Sequence, residues 1–399
     1  MTDTITSPPP VELHKGLAGV VVDRTAVSKV DAASNSLLYR GYPVQQLAAE
    51  RDIEDVAHLL IHGELPTAEQ RAAFDAELRA ARPLAPGLLH VIDLIPTSAH
   101  PMDVVRTAVS ALGAAQPEPS TAPGEYDADA TRRIATRLFA VLPAVIAYDQ
   151  RRRHDLPPVP PRDDLGYSAD FLHQVFGREA DPLDVRAFDT SMVLYAEHSF
   201  NASTFTARVI ASTLSDLHSS IVGAIGALKG PLHGGANEAA LELLARVTDA
   251  GGAEGAGEWL DGAFARREKI MGFGHRVYKN GDSRVPTMEQ ALAGLVDRAR
   301  ASGDARIADL AATYDVLAAG VLEKKGLKPN VDYPSGLAYH LMGFDTAVFT
   351  PLFVASRVLG WSAHVIEQRE ANSLIRPLSH YDGAELRDVP PRAEGAAPA

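Results

Sequence analysis

A chain of 399 residues, 46% hydrophobic and 22% charged, is long enough to bury a large core and to divide into two domains. Its formal charge of −13, from 38 basic and 51 acidic residues, argues against general affinity for nucleic acid or an anionic membrane, so an anionic ligand requires cations concentrated locally. With no cysteine, disulfides, thiolate nucleophiles and cysteine zinc sites are excluded. The first ten residues have neither a basic start nor an apolar core, and no segment approaches the uncharged span of about 20 apolar residues that a membrane helix requires. The expectation is a cytoplasmic protein.

Residues 1–12 and 389–399 are rich in Pro, Ala and Gly, a composition that predicts mobile ends. From Gly16 to Val44 short extended pieces at 19–22 and 36–39 alternate with polar turns, which predicts a small N-terminal β region. Helical periodicity then takes over. Ile53, Val56, Leu59 and Leu60 share a face; Thr67 and Gln70 form a capping box for a helix to about Arg82; Pro101 opens another through Leu112. Residues 116–129 read as an exposed loop, and 130–149 as a long helix kinked or broken at Pro143. The run Arg151, Arg152 and Arg153 reads as a solvated helix end. Two helices are expected over 181–228, separated near 199–203. Weak strand signals without βαβ spacing argue against a doubly wound sheet, so the chain is mostly α.

The polar residues that a plain core would not need fall in five places. In Gly230 to Glu238, His233 precedes a helix predicted over 236–247, and unpaired N–H groups there disfavour a charged imidazole. It is a neutral hydrogen-bond donor or simply a cap. Glu197 and His198 end an apolar helix, as ligands or as an exposed terminus. His275 follows Phe273, which has Gly272 and Gly274 on either side, and precedes Arg276, Lys279 and Arg284, a setting suited to phosphate or carboxylate. Asp332 lies between Pro329 and Pro334, as a reactive carboxylate or an N-cap. Arg357 and Arg376 lie on or just after the last helix, predicted over 350–371. No pair among His198, His233 and His275 has the spacing of familiar zinc sites, so no metal is expected. Glycine-rich turns across 226–332, including a loose stretch at 251–257, suggest a mobile, ligand-covering subdomain.

Three of these motifs, the nine residues from Gly230, the eight from Gly272 and the four from Pro329, resemble the citrate synthase family in order and spacing. The resemblance spans about Gly16 to Pro377. The segment from Leu194 to Thr204, the opening from Lys15 and the stretch from Tyr39 look most like the short, dimeric, actinobacterial-type 2-methylcitrate synthases within that family. One departure is Tyr333 and Pro334 after Asp332, where many relatives have Phe and Tyr.

The resemblance implies a two-domain helical fold: a large domain at 13–225, a small lid domain at 226–333 and a return to the large domain at 334–388. It implies condensation of propionyl-CoA with oxaloacetate and water, within propionate catabolism, with acetyl-CoA as the alternative substrate and dual use expected from a difference of one methyl group. Asp332 matches the family's general base, His233 the donor to the thioester oxygen, His275 the group polarising the ketone, and His198 a further oxaloacetate ligand. Arg284 and Arg357 match carboxylate clamps, and Arg376 an arginine reaching in from the other subunit of a homodimer. Lys279, with Lys269 and Arg276, is the expected CoA phosphate ligand. Neither a cofactor nor control by NADH is expected. A catalytically silent helical scaffold or sensor is the reading of another class.

Overall fold

A computed structural model of the chain describes residues 13–31, 35–119, 124–275, 278 and 280–391. The predicted mobile segment at 1–12 and residues 392–399 of the predicted tail lie outside the described residues. Three short strands come first, β1 (Ser28–Asp31), β2 (Ser36–Tyr39) and β3 (Tyr42–Pro43). They form an antiparallel sheet in that order, with Ser28 opposite Tyr39 and Leu38 opposite Pro43. The extended piece predicted at 19–22 does not join it. Its three consecutive valines, Val20, Val21 and Val22, are all exposed rather than alternating between a buried and an open face, and β1 begins six residues further on.

Helices then follow: α1 (Val44–Glu50), α2 (Ile53–His62), α3 (Ala68–Ala81), α4 (Pro86–Asp93), α5 (Pro101–Ala115), α6 (Ala128–Arg153), α7 (Tyr167–Phe176) and α8 (Pro182–Tyr195). After them come α9 (Ala202–Ser212), α10 (Leu217–Leu228), α11 (Ala236–Asp249), α12 (Gly252–Ala265), α13 (Val285–Ala301), α14 (Ala305–Lys325), α15 (Asp332–Met342) and α16 (Phe349–Glu370). The chain is mostly helical, as its periodicity implies. At the start of α3, the Gln70 N–H donates to Thr67 Oγ1 at 3.2 Å and the Thr67 N–H donates to Gln70 Oε1 at 2.9 Å, the reciprocal pair that the sequence predicts. Pro143 sits inside α6 without ending it, and the predicted basic run closes that helix on carbonyls rather than on solvent. Arg151 donates to Val175 O at 3.0 Å and Arg152 to Ile95 O at 2.7 Å.

Two further expectations differ from the structure. Residues 181–228 hold three helices, because Asp216 accepts from the Ser219 N–H at 2.9 Å and caps a separate α10. The glycine-rich stretch at 251–257 is the first half of α12, since Gly251 and Gly252 take positive φ of 137° and 59° and turn the chain directly into that helix.

The chain divides into two compact units, residues 25–374 and the two ends, 1–24 with 375–399. Within the larger unit α16 is the organising element: it packs on α6, α9, α10, α8, α2 and α5, and is buried on every face from Phe349 to Ile366 except at Phe353. The described part of the smaller unit is one 3-10 turn at Lys15–Leu17 and otherwise irregular, largely exposed chain.

The sheet is fastened to the break between α8 and α9. Tyr39 Oη lies 3.1 Å from Val193 O and 3.0 Å from Glu197 O, and Ser28 Oγ donates to Glu197 Oε1 at 2.8 Å. That break holds Glu197 and His198. Ser199 there has a φ of 52°, and Asn201 begins α9 by accepting from the Thr204 N–H at 3.0 Å.

Candidate active site

His233 is set by the turn between α10 and α11. Its N–H donates to Gly230 O at 2.9 Å, and Gly234 must be glycine because a Cβ there would lie 2.2 Å from Leu228 O. The ring is fixed from α9: the Ser203 N–H donates to His233 Nε2 at 3.2 Å, with Ser203 Oγ 2.8 Å from the same nitrogen. Trp361 of α16, fully buried, holds that hydroxyl by donating to it at 3.1 Å. Since Nε2 accepts a backbone N–H, the neutral ring carries its proton on Nδ1. Burial, with help from the charge of Arg357, lowers the His233 pKa to about 4, so the imidazole is neutral at pH 7.

Asp332 opens α15, and the hydroxyl of Tyr195, at the end of α8, donates to its Oδ1 at 2.7 Å. Burial raises the Asp332 pKa, opposed by that hydrogen bond and by Arg284. Tyr195 also presents its carbonyl to Arg357, whose Nε donates at 2.6 Å, while the guanidinium stacks 4.5 Å over Phe353. Arg357 is 2% exposed and no carboxylate among the described residues lies within ion-pair distance of it. Burial lowers its pKa to about 10, opposed by the more distant Glu197, and it stays charged. A buried cation without a paired anion is a site prepared for one.

The glycines of the motif that begins at Gly272 lace it to the segment before Asp332. Gly272 and Gly274 have φ of 85° and 75°; Gly272 O accepts the Asn330 N–H at 2.9 Å, and the Gly274 N–H donates to Lys328 O at 2.9 Å. Asn330 Nδ2 reaches Gly274 O at 3.0 Å and its Oδ1 accepts the Asp332 N–H at 3.1 Å, so one side chain spans the His275 loop and α15. The His275 and His198 ring centres lie 5.3 Å apart. His275 Nδ1 accepts from the Tyr278 N–H at 3.2 Å, which leaves Nε2 protonated in the neutral ring. Burial, then Arg284, lowers the His275 pKa to about 4 and takes that of His198 well below the usual range. His198 Nε2 is buried without a hydrogen-bond partner among the described residues.

Arg284 is buried and gripped by Asp282, Nε to Oδ1 at 2.9 Å and Nη2 to Oδ2 at 2.7 Å. Burial opposes charge on both, yet their pairing raises the arginine pKa and lowers the carboxylate's. Asp282 Oδ2 also accepts the Val331 N–H at 3.0 Å, tying the clamp to Asp332's neighbour. Glu197 is not the exposed terminus that one reading of the sequence allows. It is fully buried, with Oε1 2.9 Å from His364 Nε2, and although burial opposes its charge, His364 holds its pKa low.

His198, His275, Arg284, Asp332 and Arg357 thus belong to one network, and His233 lies in the field of Arg357. Arg376 is exposed and lies in the unit of the chain ends. Lys269 is exposed between α12 and α13; Arg276 and Lys279 lie outside the described residues. Sequence reading misses Tyr195, Ser203, Asn330, Asp282 and Trp361, all of which act by holding another residue. Among the described residues no group of acidic or histidine side chains could hold a metal ion, and no helix is long and apolar enough to cross a membrane.

A helical scaffold that gathers a buried carboxylate, neutral imidazoles and an unneutralised guanidinium belongs to the class of enzymes that work on carbon acids and carboxylates. The match to known proteins is more specific. The model of the family described as citrate synthase, C-terminal domain, matches residues 16–378. A 2-methylcitrate synthase of Mycobacterium tuberculosis is 53% identical over 380 residues, covering 95% of this chain and 93% of that protein. A citrate synthase of Mycolicibacterium smegmatis is 52% identical over 377 residues, covering 94% and 97%. The solved citrate synthase from Thermoplasma acidophilum, in ternary complex with carboxymethyl coenzyme A and oxaloacetate, superposes with a TM-score of 0.85 at 31% identity, covering 96% of this chain and 99% of that one. The chain belongs to the citrate synthase family and is an enzyme.

Proposed function

We propose that this enzyme condenses propionyl-CoA with oxaloacetate and water to give 2-methylcitrate and CoA. The observation that carries the reading is Tyr195, which binds Asp332 through its hydroxyl and Arg357 through its carbonyl, so that a carbon base and a carboxylate clamp share one support. Asp332 removes a proton from the carbon next to the thioester carbonyl. His233 donates its Nδ1 proton to the thioester oxygen, stabilising the enolate as it forms. His275, protonated on Nε2, polarises the ketone, and His198 holds oxaloacetate beside it. Arg284 and Arg357 grip its carboxylates. The enolate carbon attacks the ketone carbon, and water then hydrolyses the condensed thioester, releasing CoA.

Residues 226–333 act as the lid over this chemistry, closing to keep water from the thioester until the carbon–carbon bond has formed. Lys279, with Lys269 and Arg276, binds the CoA phosphates. The enzyme works as a cytoplasmic homodimer in which Arg376 serves the partner's site, and it needs no cofactor. The relative named citrate synthase, at 52% identity, favours acetyl-CoA as a second substrate. One methyl group in an apolar pocket is worth about 1–3 kcal/mol, so both thioesters turn over. Steady-state thiol release with each thioester at saturating oxaloacetate tests the ranking: kcat/KM is higher for propionyl-CoA, and a higher value for acetyl-CoA reverses it.

A further inference from the structure

The carboxylate of Asp332 has two oxygens, and the structure treats them differently. Oδ1 accepts the Tyr195 hydroxyl at 2.7 Å, whereas no such donor is directed at Oδ2 among the described residues. The phenol is itself held: the Tyr195 side chain is 2% exposed, its ring meets Phe353 edge to face with centres 4.7 Å apart and planes at 89°, and its carbonyl is fastened by Arg357. A hydroxyl so fixed cannot follow the carboxylate if it rotates. From this geometry we propose that Tyr195 is a positioning residue for the base, locking Asp332 by Oδ1 so that Oδ2 takes the proton from the thioester substrate. The inference rests on the assignment of Asp332 as that base.

A hydrogen bond from a neutral phenol to a carboxylate favours the charged form, which is the form a base needs. The other charged groups facing Asp332 are Arg284 and Asp282 from the loop before α13 and Arg357 from α16. None of them changes when the phenol oxygen is removed, and Tyr195→Phe keeps the carbonyl that Arg357 uses. Loss of the hydroxyl therefore raises the pH at which Asp332 ionises, while oxaloacetate binding stays intact. A side chain that merely filled space would leave that pH unmoved.

The test is the pH dependence of kcat/KM for propionyl-CoA in the parent enzyme, Tyr195→Phe, Tyr195→3-fluorotyrosine and Asp332→Asn. A hydrogen bond to a charged group predicts an acid limb displaced upward by about one to two pH units in Tyr195→Phe. The more acidic fluorophenol, a stronger donor of the same shape, displaces it downward. KM for oxaloacetate stays within about twofold of the parent in both, as the retained clamp requires. Acid limbs that coincide with the parent's in both tyrosine variants overturn the role of Tyr195. If Tyr195→Phe does not fold, the fluorotyrosine enzyme decides alone: an unmoved limb overturns the role and a lowered one supports it. Asp332→Asn separates the two assignments. Its retention of the parent rate removes the base itself, whereas its inactivity alongside unmoved limbs removes only the tyrosine.

Discussion

At the scale of single residues, the arrangement turns on charges denied their usual partners. Arg357 gives its Nε to a carbonyl, lies over an aromatic ring and meets no carboxylate at ion-pair distance among the described residues, so its remaining donors are available to a substrate. Lysine cannot reproduce this. Arg357→Lys loses the planar fork and the contact with Tyr195, and truncating one member of a buried charge pair costs about 2–5 kcal/mol. KM for oxaloacetate should rise roughly 30-fold or more, measured from initial rates at saturating thioester. A value within about twofold of the parent would remove Arg357 from the clamp. The candidate residues His233, His275 and Asp332 were legible in the sequence, because each sits in a short motif with glycine or proline around it. Their supports were not. Tyr195 reads as one more aromatic at the end of an apolar helix, and its partner Asp332 lies 137 residues away. Ser203 and Trp361, 158 residues apart, give no local sign that together they fix an imidazole.

Elements explain why the break between α8 and α9 can be so tight. Gly360 of α16 lies directly on it: its N–H donates to Ala196 O at 3.1 Å, and a Cβ there would stand 2.2 Å from Glu197 Oε2 and 2.5 Å from Ala196 O. Gly360→Ala must push apart the helix and the turn that carries His198. Overpacking of this kind costs about 1–3 kcal/mol, so the thermal midpoint should fall and oxaloacetate turnover should fall with it. An unchanged midpoint in a thermal melt would show that the turn can yield. A glycine inside a helix reads from sequence only as a weak point in the helix, since the crowding that requires it comes from another element. Local signals fared better. The α3 capping box and the Pro101 start of α5 involve residues within one turn of each other, and both stand as the sequence predicts. The start of α12 was hidden, because its glycines favour a turn and enter the helix only after two positive φ angles.

For the whole molecule, the negative total charge and the anionic substrates are reconciled by burying the cations. Arg284 and Arg357 are 5% and 2% exposed, whereas most of the described acidic side chains are at least partly exposed. Distant segments meet because α16 passes beside both α8 and α9, and because the bridge between Phe273 and Pro329 joins the His275 loop to α15. Pattern and composition disclosed the helical class and the order of the motifs, but these crossings depend on packing between elements far apart in the chain. Asp332 and His233 are proposed to act together on one thioester. The most direct measurement is CoA thiol release from propionyl-CoA and oxaloacetate by Asp332→Ala and by His233→Ala, each beside the parent enzyme. Removal of either group should lower kcat by at least about a hundredfold, the scale of a lost general base or a lost oxyanion donor. Release at the parent rate by either variant would contradict the claim.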